Sequence, residues 1–493
     1  MTEFLTFIPL TFLFLSFLIL FIPGLYRTGI SLAGTLAAFI SSFFPLFTAV
    51  PPETFAGLHL TALGEVMVPV ICFISILVQA YTRRHFDGSR YRGPVFKNVL
   101  ALTLALCVFV MADHLLLMIA ALGVSNILLT RLMAVNRSWS AARFSAKSAR
   151  IHLGSAILLL GLAAGMIYLN QGTFSQQQLA GPWTNRITLG FTAGLVIVAS
   201  LLQSAIWPFH RWLIASANAP TPVSAFMHAG LVNGGALVLY MFYPLISQVG
   251  WTSPVLLGFG TATALTGTLW MLVQSDVKRT LTCSTMGQMG FMILQCGLGL
   301  YPAAIAHMIW HGFFKASLFM SAGTAIKAAP NRSLSLRGPH SFGIFIFGII
   351  TGTAGAAVFW WFTSSLGSLN STYLLLLIFC GITCAHAVMT LLHTQPGFNR
   401  GILAASIGLF GSGVYGFAVS LIERHLMVIQ LPQLEFFHLV LAGLFALGWV
   451  FMLFRSYLPQ SLDHYLALLY VRLLNNSQPT TQTLTNRRSD YSL

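Results

Sequence analysis

The stretch "WPFHRWLIASANAPTPVSAFMHAGLVNGGALVLY", residues 207–240, sets three prolines, two histidines and an arginine between runs apolar enough to cross a bilayer. Helix breakers and polar groups at such a place need a reason, and the surrounding composition says what kind. The chain is 56% hydrophobic and only 7% charged, and its mean hydropathy is +0.81, outside the range of soluble domains. A bilayer core takes about 20 consecutive apolar residues per helix. Segments of that length recur about 15 times between residues 4 and 457. The fold expected is therefore an all-α polytopic membrane protein of about 14 or 15 transmembrane helices. The first span begins Met1-Thr2-Glu3 with no basic n-region, so it reads as a helix and not as a cleavable signal peptide.

A net charge of +15 could point to nucleic acid, but the cations are distributed by side. Loops after odd-numbered spans collect Arg83, Arg84, Arg90, Arg92, Lys97, Arg131, Arg137, Arg143, Lys147 and Arg150, and later Arg211, Lys278, Arg279, Arg332, Arg337, Arg400 and Arg455. The opposite side carries only Arg186 and Arg424 but gathers Glu3, Glu53, Asp113, Glu423 and Glu435. This asymmetry is the positive-inside bias. It predicts an external N-terminus and a cytoplasmic C-terminus, and it makes nucleic acid unnecessary as a partner; the partner of this surface is membrane lipid.

With so few charges, those inside spans are the informative residues. A lysine at the bilayer centre costs roughly 2.5–3.5 kcal/mol even on the lenient insertion scale. In "AAIAHMIWHGFFKASLFMSAG", His307, His311 and Lys315 are spaced i, i+4, i+8 and share one helix stripe. Such a stripe can relay protons through imidazoles that titrate near neutrality; a structural histidine pair with a snorkelling lysine is the alternative. Lys315 lies about 13 residues into its span, too deep for easy snorkelling. His228 follows the break at Pro208 and the Pro220-Thr221-Pro222 turn. Interrupted helices are tolerated at membrane depth only beside protein or water, so the expectation is a hydrated polar cavity there, as in transporters. Glu65, in "LTALGEVMVPVICF", reads as the only carboxylate deep in a span, either a proton site or a counter-ion. Cys380 and Cys384 stand one turn apart, but His386 points roughly 200° away from Cys384 on a helix, which argues against a metal site. There is no Fe–S cysteine spacing, dinucleotide fingerprint or zinc set, so no cofactor is expected in this chain.

"PFHRWLIASANAPTPVSAFMHAGLVNGG" closely resembles the signature of the proton-conducting antiporter-like subunits of respiratory complex I, Mrp antiporters and membrane hydrogenases. The resemblance continues through "SDVKRTLTCSTMGQMGFM" (275–292) and "HMIWHGFFKASLFMSAG" (307–323), and weakly through "MADHLLLM" (111–118). It implies two inverted five-helix repeats with discontinuous helices. The corresponding organisation is N-terminal helices over 1–94, repeats over 95–245 and 246–395, C-terminal helices over 396–457 and a cytoplasmic tail over 458–493. It also implies that His228, His307, His311 and Lys315 lie on a central proton axis lined by Gln203, Pro208, Pro220 and Pro222, and that Asp276, Lys278 and Arg279 belong to a structural loop.

Departures from the pattern narrow the reading. Complex I relatives carry a glutamate in the fifth helix, where "IAALGVSN" has no carboxylate, and a lysine where Gln203 stands. The ionisable group of their twelfth helix is missing from "GIFIFGIITGTAGAAVFWWF". Length and the basic loop "RSWSAARFSAKSAR" (137–150) are more similar to DabB-type membrane subunits of two-component inorganic carbon transporters. That resemblance implies a multi-pass subunit of a bacterial inner membrane, not itself an enzyme. It would conduct protons or another cation to drive a cytoplasmic DabA-like partner that holds zinc. The alternatives are a proton-translocating subunit of an NADH-quinone oxidoreductase, hydrogenase or Mrp-type antiporter complex, and a structural anchor with a decayed path.

Overall fold

The computed structural model describes residues 7–22, 27–47, 57–328, 342–365, 367–394, 398–426, 431–454 and 463–483. Among these residues the chain is helical, with three isolated bridges (Leu58 with Ala112, His114 with Ser175, Ser371 with Gln433) as its β pairing. The helices in order are α1 (Ile8–Ile19), α2 (Arg27–Ser41), α3 (Ala62–His85), α4 (Arg92–Met111), α5 (Leu115–Met133), α6 (Ser140–Gln171) and α7 (Arg186–Gln203). After them come the short α8 (Arg211–Ala215), α9 (Thr221–Ala229), α10 (Gly234–Met241) and α11 (Tyr243–Ile246). The remainder are α12 (Thr252–Val273), α13 (Val277–Gly297), α14 (Tyr301–Ala328), α15 (Phe342–Thr363), α16 (Tyr373–Thr394), α17 (Phe398–His425), α18 (Phe436–Phe454) and α19 (Asp463–Asn476).

Eleven of the described helical segments, α9–α10 counted as one, are long and apolar enough to cross a membrane. Two shorter apolar helices, α1 and α2, precede them. The two remaining expected spans are α13 and α14, whose lysines, histidines and glutamines dilute an otherwise apolar surface. Each expected span thus coincides with a helix. Glu3, Glu53, Arg332, Arg337 and Arg455 lie outside the described residues. One expected loop is helical: residues 140–150 of the basic segment form the first turns of α6, because alanine, arginine and lysine are among the best helix formers.

The chain divides into two compact units. The first takes in the described residues of Met1–Leu294, His307–Lys327 and Leu473–Leu493; the second takes in Gln295–Ala306 and Ala328–Arg472. Within the first, α12 and α13 cross with their backbones nearly touching. A Cβ on Gly267 would fall 2.6 Å from Gly287 Cα, so small residues set this approach, as is usual between helices in lipid. In the second unit, Thr363 Oγ1 and Tyr373 Oη hydrogen-bond at 2.7 Å and join α15 to α16. Here α15 runs unbroken from Phe342 to Thr363, so the interruptions of the spans at residues 186–241 have no counterpart in α15. Cys384 Sγ lies 3.5 Å from the Thr351 carbonyl and His386 Nδ1 accepts from Trp449 Nε1 at 3.3 Å; the two residues turn to different neighbours.

Back in the first unit, the segment after α19 is pinned at three points. Gln274 Nε2 donates to Ser477 Oγ (2.6 Å), Arg279 Nη1 to Gln478 Oε1 (2.8 Å) and Asn218 Nδ2 to the Thr483 carbonyl (2.7 Å).

Candidate functional site

The site is built on two interruptions. The first separates α7 from α8. At the end of α7 the amide of Ile206 bonds to the Leu201 carbonyl (3.0 Å) and that of Ala205 to the Leu202 carbonyl (3.4 Å). This is a Schellman cap, closed by Ala205 at φ +54° where glycine is the usual residue. Trp212 Nε1 also donates to the Leu202 carbonyl (3.1 Å), and the Trp207 amide donates to Thr263 Oγ1 (3.1 Å). Pro208 lies in the turn, Pro220 is the N-cap of α9 and Pro222 sits in its first turn, where a missing N–H costs nothing. Lys278 Nζ donates to the Ala219 carbonyl just before α9 (3.0 Å), and Asp276 Oδ1 accepts from the Arg279 amide (2.8 Å) as the N-cap of α13.

The second interruption, between α9 and α10, was hidden in "HAGLVNGG". Helix α9 stops at Ala229 and a single tight turn over Leu231–Asn233 leads into α10. Buried carbonyls released by such a break must find partners. Here side chains supply them: Asn233 Nδ2 donates to the Ala229 carbonyl (2.9 Å), Gln203 Nε2 to Leu231 (3.3 Å) and Ser204 Oγ to Val232 (2.7 Å). Ser204 Oγ also accepts the Gly235 amide at 3.1 Å. The end of α7 therefore staples the kink, and Gly235 has no room for a side chain because a Cβ would strike the Ser200 carbonyl.

Gln203 has a second partner, in α5. Asn126 Nδ2 donates to Gln203 Oε1 (2.9 Å) and Gln203 Nε2 donates back to Asn126 Oδ1 (3.1 Å), both residues being almost wholly buried. The pair is neutral and satisfied by protein alone. Near the kink, a cavity of about 30 Å³ is lined by apolar side chains including Ile74, Leu106, Phe226 and Met308. That is the room of one water, with nothing polar in the lining side chains to hold it. The carbonyls released at this break are closed by direct side-chain contacts.

On α14, His307, His311 and Lys315 do form one stripe. The two imidazole centroids are 6.1 Å apart, too far for a direct hydrogen bond but within reach through one water. Lys315 is 1% exposed and donates from Nζ to the Leu281 carbonyl of α13 at 3.2 Å. One turn on, Phe319 stacks on His228 with centroids 4.3 Å apart and planes at 13°. A Cβ on Gly312 would come within 2.8 Å of the Ala229 carbonyl, so α14 presses against the end of α9. The structure thus brings His228 to the α14 stripe. Both ring nitrogens of His228 and of His311 are buried with no hydrogen-bond partner in the protein. Leaving a buried polar atom unsatisfied costs about 1–3 kcal/mol, so within the protein these rings contribute packing, His228 against Phe319, and not hydrogen bonds.

Glu65 is not deep in its span. Helix α3 starts at Ala62, with Thr61 Oγ1 accepting the Gly64 amide (3.1 Å), which puts Glu65 in the first turn and only part-buried. A carboxylate there is stabilised by the positive end of the helix, which its depth in the apolar run did not suggest. Residues overlooked in the sequence are Asn126, Ser204 and Asn233: polar residues among apolar ones, each holding a group that the kink or its neighbour leaves open.

The family profile described as "NADH:quinone oxidoreductase/Mrp antiporter, TM" matches residues 112–383. A Bacillus anthracis protein described as a probable inorganic carbon transporter subunit DabB is 37% identical over 320 residues, 63% of this chain and 61% of its own length. A Hydrogenovibrio crunogenus protein of the same description is 31% identical over 368 residues, 73% of this chain and 68% of its own. Among solved structures, a chain of the membrane-bound sulfane sulfur reductase, an archaeal respiratory membrane complex, superposes with a TM-score of 0.60 at 17% identity, covering 96% of both chains. The chain spans between half and about two thirds of the length of the curated DabB relatives it matches.

Proposed function

The chain belongs to the NADH:quinone oxidoreductase/Mrp antiporter transmembrane family, and from that premise we propose that it is the ion-conducting membrane subunit of an inorganic carbon uptake system. In this reading protons pass inward along His228, His307, His311 and Lys315. Their flow drives a cytoplasmic DabA-like zinc partner that hydrates CO2 in one direction. The relatives described as DabB subunits support the substrate class. The observation that carries the direction is the Asn126–Gln203 pair. Energy-driven pumping needs an ion pair whose charge can switch, and two amides joined by reciprocal hydrogen bonds cannot titrate. A path without that switch suits a consumer of the proton gradient. The positive side of the membrane surface, with Arg83 to Arg150, is where the partner docks.

Two expected results test the reading. His228→Gln and His311→Gln, which keep most of the buried volume but cannot titrate, should each lower coupled uptake at least tenfold while shifting the melting temperature by no more than a few degrees, since neither ring gives up a protein hydrogen bond. His152→Ala, which loses the bond to the Ser148 carbonyl (2.8 Å), serves as the comparison. Equal uptake by all three variants would remove the proton pathway.

The second result concerns partners. Gentle-detergent purification of the tagged chain from its native host should recover one large zinc-containing soluble protein. Recovery of many hydrophobic subunits with flavin and iron would instead place the chain in an NADH-quinone oxidoreductase type of complex, the reading that the family description also admits.

A further inference from the structure

The ends of α4 and α5 that carry the arginines enclose a cleft of about 560 Å³. Its lining includes Arg90, Tyr91, Asn98, Arg131, Arg137 and Ser138, and no carboxylate. The one nearby acid, Asp87, is already engaged by Arg92 Nη1 at 2.7 Å. We propose that this cleft binds a phosphate ester anion, with the headgroup phosphate of an anionic phospholipid or free phosphate as its source.

Three features support a formed site over a chance gathering of cations. Arg90 is held over the Tyr91 ring, 4.9 Å from its centroid, with Nη2 donating to a tyrosine Oη at 2.8 Å. The 136–138 turn is fixed by Asn136 Oδ1, which accepts the Ser138 amide (3.2 Å) and hydroxyl (2.6 Å). Arg143 Nη1 donates to the Arg137 carbonyl at 2.8 Å, so the backbone bearing that guanidinium is tied to α6. Guanidinium forks match the paired oxygens of a phosphate, and Tyr91 is the N-cap of α4, whose positive end adds to the field. Basic pockets between helices at an anionic leaflet are the usual home of lipid headgroups. The volume lies within the range of small-molecule sites and exceeds what a lone phosphate needs, which favours the lipid.

The test uses the full chain in detergent, with native mass spectrometry to read retained lipid. Phosphatidylglycerol should be retained in preference to phosphatidylcholine. The double variant Arg131→Gln/Arg137→Gln should weaken retention about fivefold per guanidinium removed, the effect of roughly one basic residue at a membrane surface. Arg150→Gln, an exposed arginine of α6 outside the cleft lining, should leave it unchanged and reports on folding. Radiolabelled inorganic phosphate, added without lipid, separates the sources. Phosphate binding that the double variant abolishes, with no preference for the anionic lipid, assigns the site to free phosphate. No preference for either anion, or equal binding by wild type and double variant, overturns the proposal.

Discussion

Lys315→Ala is expected to abolish coupled uptake, by 100-fold or more, while the protein still accumulates in the membrane. The two halves of that expectation have separate physical grounds. Loss of activity follows because Lys315 is a 1% exposed ammonium on the same α14 stripe as the two histidines, where its charge acts directly on the imidazoles that carry the proton. Retained assembly follows from what the ammonium touches. Its partner, the Leu281 carbonyl, also accepts Thr285 Oγ1 at 3.0 Å, so removing the lysine does not orphan that oxygen. Truncation also removes the roughly 2.5–3.5 kcal/mol cost of placing a lysine in the apolar core. Proton flux in inside-out vesicles and growth on ambient CO2 are the two readouts. Full growth with Lys315→Ala sinks the assigned axis, whereas Lys315→Met showing the same loss with normal expression ties the effect to charge and not to volume.

The second large effect belongs to Gln203. Gln203→Lys sets an unpaired cation against Asn126 and the Leu231 carbonyl in a fully buried position. Stranding one partner of a buried charged pair costs about 3–5 kcal/mol, enough to consume much of a typical domain's stability. Both yield and activity should fall steeply. Adding Asn126→Asp should recover a large part of the stability by restoring a pair, though one whose charges now respond to the local field. The measurement is a double-mutant cycle on thermal unfolding in detergent. A coupling energy near zero would mean that the two amides do not act as a unit.

How much of this was legible depends on what kind of force wrote it. The spans were legible because hydrophobic length is a property of each segment alone, and even α13 and α14, diluted by polar residues, remained recognisable. The His307, His311 and Lys315 stripe was legible because helical spacing is local too. Asn126 was not: the segment "IAALGVSN" shows only that a carboxylate is missing, and nothing local to it says that an amide 77 positions later completes Asn126. The kink at Gly230 gave no local sign for the same reason, since two of its three supporting side chains, Gln203 and Ser204, come from the end of α7. Ala205 gave no sign of a left-handed cap because the residue that usually marks one is glycine. Glu65 looked deep only because the apolar run begins before the helix does; the Thr61 cap decides the boundary.

The pinning of residues 477–483 has a consequence for the order in which the first unit can be completed. Asn218 and Thr483 are 265 positions apart, and ribosomes add about 5–20 residues per second. The turn that carries Asn218 is therefore made ten seconds or more before the segment that secures it exists. During that interval the loop leading into α9 lacks the bond from Asn218 to Thr483, and α13 lacks the bond from Arg279 to Gln478. The turn leading into α9 is thus made early but secured late, by a segment synthesised after α14.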